Sequence, residues 1–335
     1  MRAMLLCPGR GSYGKDQLGS LQGPSAVLDQ LDAFRAGLGR PTIREMDAAE
    51  RHGAKLHVAG ENASILTFGA TAFDVEALDP AKVELVAVGG NSMGWYTALY
   101  AAGALPLAEA AHLVETMGQY QAGNVIGGQV LYPLVDAQWR PDAEARAVVE
   151  AALERDDVHL SIALGGTAVL AGSRDAVRWM LAELPKAVRG KRSYPIQLPL
   201  HSAFHTPLMS ATALRAQDEL AELLLDSPRV PLVDGRGALF PTWADPLELF
   251  DWTLGPQVDQ SYDFSATVQS GVGNFAPDAL ILPGPGDTLG ASVAQALIEI
   301  RWRGLRDKQD FMAAQAEDLP LVISMARPEQ RALVV

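Results

Sequence analysis

Lys82–Ala102 reads KVELVAVGGNSMGWYTALYAA. The apolar run Val83–Val88 is long enough for one buried strand and too short for a helix with a core face. Two glycines and Asn91-Ser92-Met93-Gly94 follow, then an alanine-rich segment of good helix formers. The pattern is strand, sharp turn, helix, with Ser92 at the apex of the pentapeptide G-x-S-x-G formed by Gly90 to Gly94. Glycine flanks the serine because a strained strand-to-helix turn brings backbone together where a Cβ would clash. The elbow lifts the Ser92 hydroxyl out of the sheet and sets it at a helix N-terminus, where free N–H groups and the dipole favour negative charge. A Gly-rich turn with a serine cap is the competing reading, and spacing alone does not separate the two.

Composition narrows the classes. The chain has 335 residues, 48% hydrophobic and 20% charged, enough for a full core in one large domain with a smaller companion. A single cysteine, Cys7, excludes an internal disulfide framework and fits a reducing compartment. MRAMLLCPGRGS is too short in its apolar run for a signal peptide, and no stretch reaches the length of a membrane helix. A soluble cytoplasmic protein is expected, with neither nucleic acid nor membrane as partner. The net charge of −13 argues against generic binding of either polyanion. One basic cluster stands out, Lys186, Arg189, Lys191 and Arg192; a solvated helix end and turn is the alternative use for it.

Met1–Pro8 reads as a first buried strand ending in Pro8-Gly9-Arg10-Gly11-Ser12. Gly9 to Lys15 spells G-x-x-x-x-G-K, but Asp16 stands where Ser or Thr should hold magnesium, so a phosphate loop is disfavoured. The same loop can present backbone N–H groups to an oxyanion. Helices are expected over 24–38 and 63–78; 52–60 has mixed signals, and His52 and His57 read as surface residues. After the Ser92 helix, Gly103 is a stop and Pro106 opens a helix to about Gln121. Between Gly127 and Leu198 the pattern is β-α-β-β-α-β, the ferredoxin-like unit, with His159 structural on one of its strands. LHSAFHTPLM, Leu200 to Met209, carries two histidines four apart, but Pro207 argues against a helix across both and no further ligand lies at metal spacing. A turn presenting one histidine is expected, and no metal. Residues 301–335 read as a charged extension with one apolar patch, 319–323.

A nucleophilic serine needs a base within hydrogen-bond reach and a preorganised oxyanion site. His205 is the best-placed base and His201 the next. An ordinary α/β-hydrolase carries its histidine near the C-terminus after an acid on a late strand, yet no histidine follows His205.

Four motifs in order resemble one family, the malonyl-CoA:acyl-carrier-protein transacylases and the acyltransferase domains of polyketide and fatty-acid synthases. CPGRGS resembles its N-terminal PGQGS loop, GNSMG its nucleophile elbow, SAFHTPLM its histidine motif and LPGPGDTLG its late GPG turn. The resemblance covers about residues 1–300. It implies an α/β-hydrolase-like parallel-sheet core, residues 1–126 and 199–300, with a ferredoxin-like subdomain inserted at 127–198 and an extension at 301–335. It further implies Ser92 as acylated nucleophile, His205 as general base and acid, and the backbone N–H groups of Arg10 and Met93 as oxyanion hole. A backbone carbonyl, assigned by alignment of QVDQSYDF to Gln260, would orient the histidine. Asn91, Met117, Phe204 and Asn62 would line the acyl pocket, and Lys186, Arg189, Lys191 and Arg192 would dock an acidic carrier protein. The expected substrate is a coenzyme A thioester, the partner an acyl carrier protein, the chain a monomer, with no cofactor.

The departures are informative. Met117 falls where the family usually has the arginine that pairs with malonyl's free carboxylate, and a thioether cannot replace a bidentate guanidinium. Arg10 stands where the family has glutamine, Asn91 where it has histidine, and Trp95 where it commonly has glutamate; all are expected at or near the acyl pocket. Acyl transfer of a group without a carboxylate, or of unusual shape, is the leading expectation, unless Arg10 swings in to replace the lost charge. Hydrolysis of carrier-bound acyl groups on the same serine and a non-catalytic carrier-binding relative are the other readings.

Overall fold

Strands buried on both faces have no polar side to show, so they read as unbroken apolar runs. AMLLC and ALIL are such runs, and they form adjacent inner strands of the main sheet. In the computed structural model, which describes residues 1–122 and 125–335, six strands lie in the order Leu239–Phe240, Leu232–Val233, Glu84–Gly90, Arg2–Cys7, Ala279–Leu282, Val322–Ser324. Every neighbouring pair is parallel except the first. Glu84–Gly90 and Arg2–Cys7 run side by side until Cys7 meets Gly90, so the Gly9–Ser12 loop and the Ser92 elbow leave the sheet together. That shared carboxyl edge is where open α/β sheets build their sites.

The helix expected over 63–78 spans Gly60–Glu76 and buries residues around its whole circumference, Phe68 and Thr67 completely. Such a helix is enclosed on all sides, which is why no apolar stripe marks its start. Ala54–Val58 before it is a short π-helical turn. His57 is not a surface residue: it is 2% exposed, its Nε2 lies 2.9 Å from the Met46 carbonyl oxygen, and its ring stacks on His52 at 4.7 Å.

The inserted unit has its own apolar core. Gly128–Pro133, Val158–Leu164, Thr167–Gly172 and Ile196–Gln197 are its strands, with Ala143–Leu153 and Arg174–Glu183 as helices. The strands pair antiparallel in the spatial order second, third, first, fourth, the ferredoxin-like arrangement. Two details differ from the expectation. The basic segment forms a separate hairpin, Ala187–Arg189 with Arg192–Tyr194. A fifth strand, Tyr262–Asp263, comes from the main body and pairs parallel with Val158–Leu164.

Residues 301–335 are not an appended tail. Val322–Ser324 is the edge strand of the main sheet, Val334 is fully buried, and the Asp79 N–H donates to the Val334 carbonyl at 2.9 Å. A three-residue strand flanked by charges is too short to show alternation, so only its apolar patch was visible.

Candidate active site

Gly90 and Gly94 are fixed by close approach. A Cβ on Gly94 would stand 2.2 Å from the Cys7 carbonyl oxygen, and one on Gly90 2.2 Å from the Gly94 carbonyl oxygen. The chain between them turns with Ser92 at φ 56°, a left-handed conformation that costs a non-glycine residue about 1–3 kcal/mol. The Asn91 N–H to Cys7 carbonyl bond at 3.0 Å and the Trp95 N–H to Ser92 carbonyl bond at 2.9 Å hold it there. The helix Gly94–Ala101 begins two residues later.

His205 sits on the turn before the 3-10 segment Pro207–Met209, also left-handed at φ 60°. Its N–H donates to the Val258 carbonyl at 2.8 Å. Its Nε2 lies 2.7 Å from Ser92 Oγ, and its Nδ1 2.7 Å from the Gln257 carbonyl oxygen. With Nδ1 carrying the proton toward that carbonyl, Nε2 is left as acceptor for the serine hydroxyl. Burial pulls the His205 pKa down to about 4, against an upward pull from the Gln257 carbonyl, so the imidazole is neutral at pH 7.

The orienting carbonyl is therefore Gln257, not Gln260. Both glutamines stand in QVDQ, Gln257 on the short helix Pro256–Asp259 and Gln260 as the extended residue that caps its end. Gln257 faces inward at 2% exposure, whereas Gln260 is solvent-exposed and its N–H returns to the Pro256 carbonyl. The Gln257 side chain does further work: Nε2 donates to the Ser92 carbonyl at 3.1 Å, and Oε1 accepts from the Tyr96 hydroxyl at 2.9 Å. One residue thus ties histidine, elbow and elbow helix together. Tyr262 adds a bond from its hydroxyl to the Gly90 carbonyl at 2.7 Å, with its ring 5.3 Å from that of His205. Nothing in residue type alone marked Gln257 or Tyr262; an inward helical phase three residues before Gln260 was the signal available.

Ser92 and His205 open into a cavity of about 620 Å³. Arg10 and Met93 line it beside them, and their backbone N–H groups donate to no acceptor among the described residues. Asn91, Met117 and Phe204 also line it. Asn62 does not: it is buried behind the wall, where Oδ1 accepts from Arg35 and Arg35 pairs with Glu115 at 2.8 Å. Trp95 is fully buried on the far side of the elbow helix, with its indole N–H donating to Thr253 Oγ1 at 2.9 Å. Its ring packs against Phe240 in the core and does not line the cavity. The phosphate-loop reading fails on geometry as well. Only the three-residue 3-10 turn Lys15–Gln17 follows the glycines, leaving no helix N-terminus of useful length.

The opposite wall of the cavity belongs to the inserted unit, with Leu131, Val135, Ile162 and Val169. Of the basic cluster, Arg189 and Arg192 line the cavity, joined by Lys308 from the C-terminal segment. Arg189 pairs with Asp142 at 2.7 Å and donates to the Val135 carbonyl at 2.6 Å. Lys186 donates to the Leu181 carbonyl at 2.9 Å, and Lys191 is exposed at the hairpin turn. Among the described residues no group of His, Cys, Asp or Glu could hold a metal ion, and no helix is long and apolar enough to cross a membrane.

Comparison with known proteins gives a consistent picture. No protein-family model matches the chain. Malonyl CoA-acyl carrier protein transacylase of Escherichia coli K12 is 33% identical over 149 residues, 43% of this chain and 46% of that protein. The enzyme of the same name from Salmonella typhimurium LT2 is 32% identical over 149 residues. The match thus spans just under half the length of these relatives. Among solved structures, the acyl-carrier-protein S-malonyltransferase of Burkholderia pseudomallei 1710b superposes with a TM-score of 0.76 at 22% identity, covering 99% of each chain. The acyltransferase domain from the second module of the salinomycin polyketide synthase superposes with 0.72 at 20% identity, covering 99% of this chain and 71% of that one. The fold is shared over nearly the whole chain.

Proposed function

We propose that this chain, similar in sequence and fold to the malonyl-CoA:acyl-carrier-protein transacylases and polyketide-synthase acyltransferase domains, moves acyl groups from coenzyme A thioesters to a carrier protein through an acyl-Ser92 intermediate. The observation that carries the reading is the 2.7 Å contact of Ser92 Oγ with a neutral His205, whose other nitrogen is held by a carbonyl. His205 Nε2 takes the Ser92 proton as Oγ attacks the thioester carbonyl, and the Arg10 and Met93 N–H groups receive the oxyanion. A pair of such donors contributes about 3–4 kcal/mol per lost member in comparable sites. Collapse breaks the C–S bond, and the departing sulfur collects the proton from Nε2. The carrier thiol then gives its proton to the same nitrogen, attacks the acyl ester, and Ser92 is regenerated with its proton.

A neutral carbonyl stabilises the transient imidazolium less than a carboxylate does. That suits exchange between thioesters, whose acyl groups are already activated, better than amide cleavage. The basic residues at the cavity mouth, Arg192 above all, and Lys191 beside it suit an acidic carrier and the phosphate of its pantetheine arm. The test is intact-protein mass spectrometry after mixing with a panel of acyl-CoAs, with and without carrier protein. An adduct on the wild type, absent in Ser92→Ala, and discharged by carrier faster than by water is expected. Discharge by water alone at the same rate would favour the hydrolase, and no adduct from any donor the non-catalytic relative.

A further inference from the structure

An antiparallel sheet covered by helices on one face turns polar side chains outward on the other when that face meets water. The sheet of the inserted unit does not. Along its strands Val130, Tyr132, Ala168 and Leu170 point into the unit's own core, under the helices Ala143–Leu153 and Arg174–Glu183. The residues between them form two rows on the opposite face. Leu131 stands beside Val169, and Val169 beside Ile162; Pro133 stands beside Thr167, and Thr167 beside Leu164. All six line the cavity that holds Ser92. Five of the six are apolar, and Leu131 and Leu164 are left partly exposed. An apolar surface of this kind inside a cleft is built for an apolar ligand.

The charged residues around the cavity are committed elsewhere. The Arg10 guanidinium is turned away: Nη2 donates to the Leu200 carbonyl, and Nη1 is enclosed where a Cβ on Gly60 would stand 3.2 Å from it and 2.9 Å from the Gly118 carbonyl oxygen. Asp136 is engaged by Arg140 at 2.8 Å and Arg189 by Asp142 at 2.7 Å. Arg192 stands on the hairpin, and Lys308 lies over the Trp139 ring at 5.2 Å. A carboxylate laid on the two rows would therefore have no cation to pair with. The pantetheine arm fits them no better. Its amides would find one hydroxyl, that of Thr167, among six side chains, and buried amides without partners are costly. A hydrocarbon leaves nothing unpaired there.

We propose that the open face of the inserted sheet holds the acyl chain, and that the substrates are thioesters of unbranched, medium-length aliphatic acids. The proposal rests on Ser92 as the acylated residue. A cavity of about 620 Å³ has room for far more than a two- or three-carbon acyl group. The thioether of Met117, which lines the same cavity, is a fitting neighbour for a hydrocarbon chain. Selection then comes from the inserted unit, through Leu131, Ile162, Leu164 and Val169, rather than from a charge beside the nucleophile.

The test measures initial rates of Ser92 acylation by acetyl-, butyryl-, hexanoyl-, octanoyl- and malonyl-CoA. In the wild type kcat/KM should rise about two- to fourfold per added methylene, the gain from burying each one less the cost of ordering it. Malonyl-CoA should react more slowly than butyryl-CoA. Leu131→Trp, which fills one row, should move the optimum to shorter chains. Leu164→Asn should lower the octanoyl-to-acetyl ratio by on the order of tenfold. Thermal unfolding shows whether each variant is folded; where one is not, the wild-type length series decides. A rate that is flat or falls with chain length, or a preference for malonyl-CoA, overturns the proposal while leaving acylation of Ser92 intact. Equal losses for acetyl- and octanoyl-CoA in both folded variants would give the face to the pantetheine arm and overturn it as well. If no donor acylates the wild type, the function reading fails separately. The face is then judged by calorimetric binding to Ser92→Ala, where tighter binding of octanoyl-CoA than of acetyl-CoA, lost on adding Leu131→Trp, supports it and equal binding refutes it.

Discussion

Gln257→Ala and Gln260→Ala, made side by side, separate the two glutamines of QVDQ. The first removes an amide that donates to the Ser92 carbonyl at 3.1 Å and accepts from the Tyr96 hydroxyl at 2.9 Å, in a residue 2% exposed. The Ser92 carbonyl keeps its bond from the Trp95 N–H, so the Tyr96 hydroxyl is the partner left unsatisfied, at about 1–3 kcal/mol, and with the lost amide bond to Ser92 folding stability should fall by roughly 2–4 kcal/mol. Only the bond to the Ser92 carbonyl acts directly on the nucleophile. Losing about 1–1.5 kcal/mol of positioning there corresponds to roughly tenfold in rate, at about 1.4 kcal/mol per factor of ten. The backbone carbonyl that holds His205 survives in the variant, which keeps the loss well below that of deleting the histidine. Gln260 is exposed, and Gln260→Ala should stay within about 0.5 kcal/mol and twofold in rate. Urea unfolding gives the stabilities and time-resolved intact mass the acylation rates. Equal effects from the two variants, or a full acylation rate in Gln257→Ala, would refute the assignment.

Two further outcomes are expected. His205 has a folded pKa of about 4 against an unfolded value near 6.5, so the unfolded chain binds the extra proton first. The stability it contributes is present above about pH 6.5 and is lost as pH falls toward 4, by about 3 kcal/mol over that span. His201, pulled down to about 3, acts in the same direction. Urea midpoints measured from pH 7.5 to 4.5 should fall steadily, and a flat profile would contradict the buried, neutral imidazole. At the cavity mouth, charge reversal of Lys191 and Arg192 should raise the KM for carrier protein several-fold while sparing Ser92 acylation by acyl-CoA. Equal loss in both half-reactions would move those residues from carrier docking to the acyl step.

What could be read from the residues, and what could not, follows from the range of the interactions. Ser92 was legible because a strand, two glycines and a helix are adjacent in sequence and their clash is local. His205 was legible through its turn and through the lack of any later histidine. Gln257 was not, because the choice between it and Gln260 depends on the phase of a four-residue helix against a turn fifty residues away. Asn62 and Trp95 were misplaced for a similar reason, since both stand on helices buried all round, where no polar face tells the inward from the outward direction. His57 looked exposed because its neighbours are charged, yet its ring is enclosed by the Tyr13 and Met46 segments. The C-terminal strand was hidden by its shortness.

Tyr262 has a mechanical consequence. Its backbone belongs to the sheet of the inserted unit, while its hydroxyl is bonded to the Gly90 carbonyl on the strand that leads to the nucleophile. The two jaws of the cavity are therefore riveted at one residue, directly behind the reacting atoms. A hinge that swung the inserted unit open would have to tear a strand pairing and shift the serine at the same moment. Such a clamp makes the width of the cavity a property of the fold: the strand pairing and the hydroxyl bond that set it form as the two units pack together.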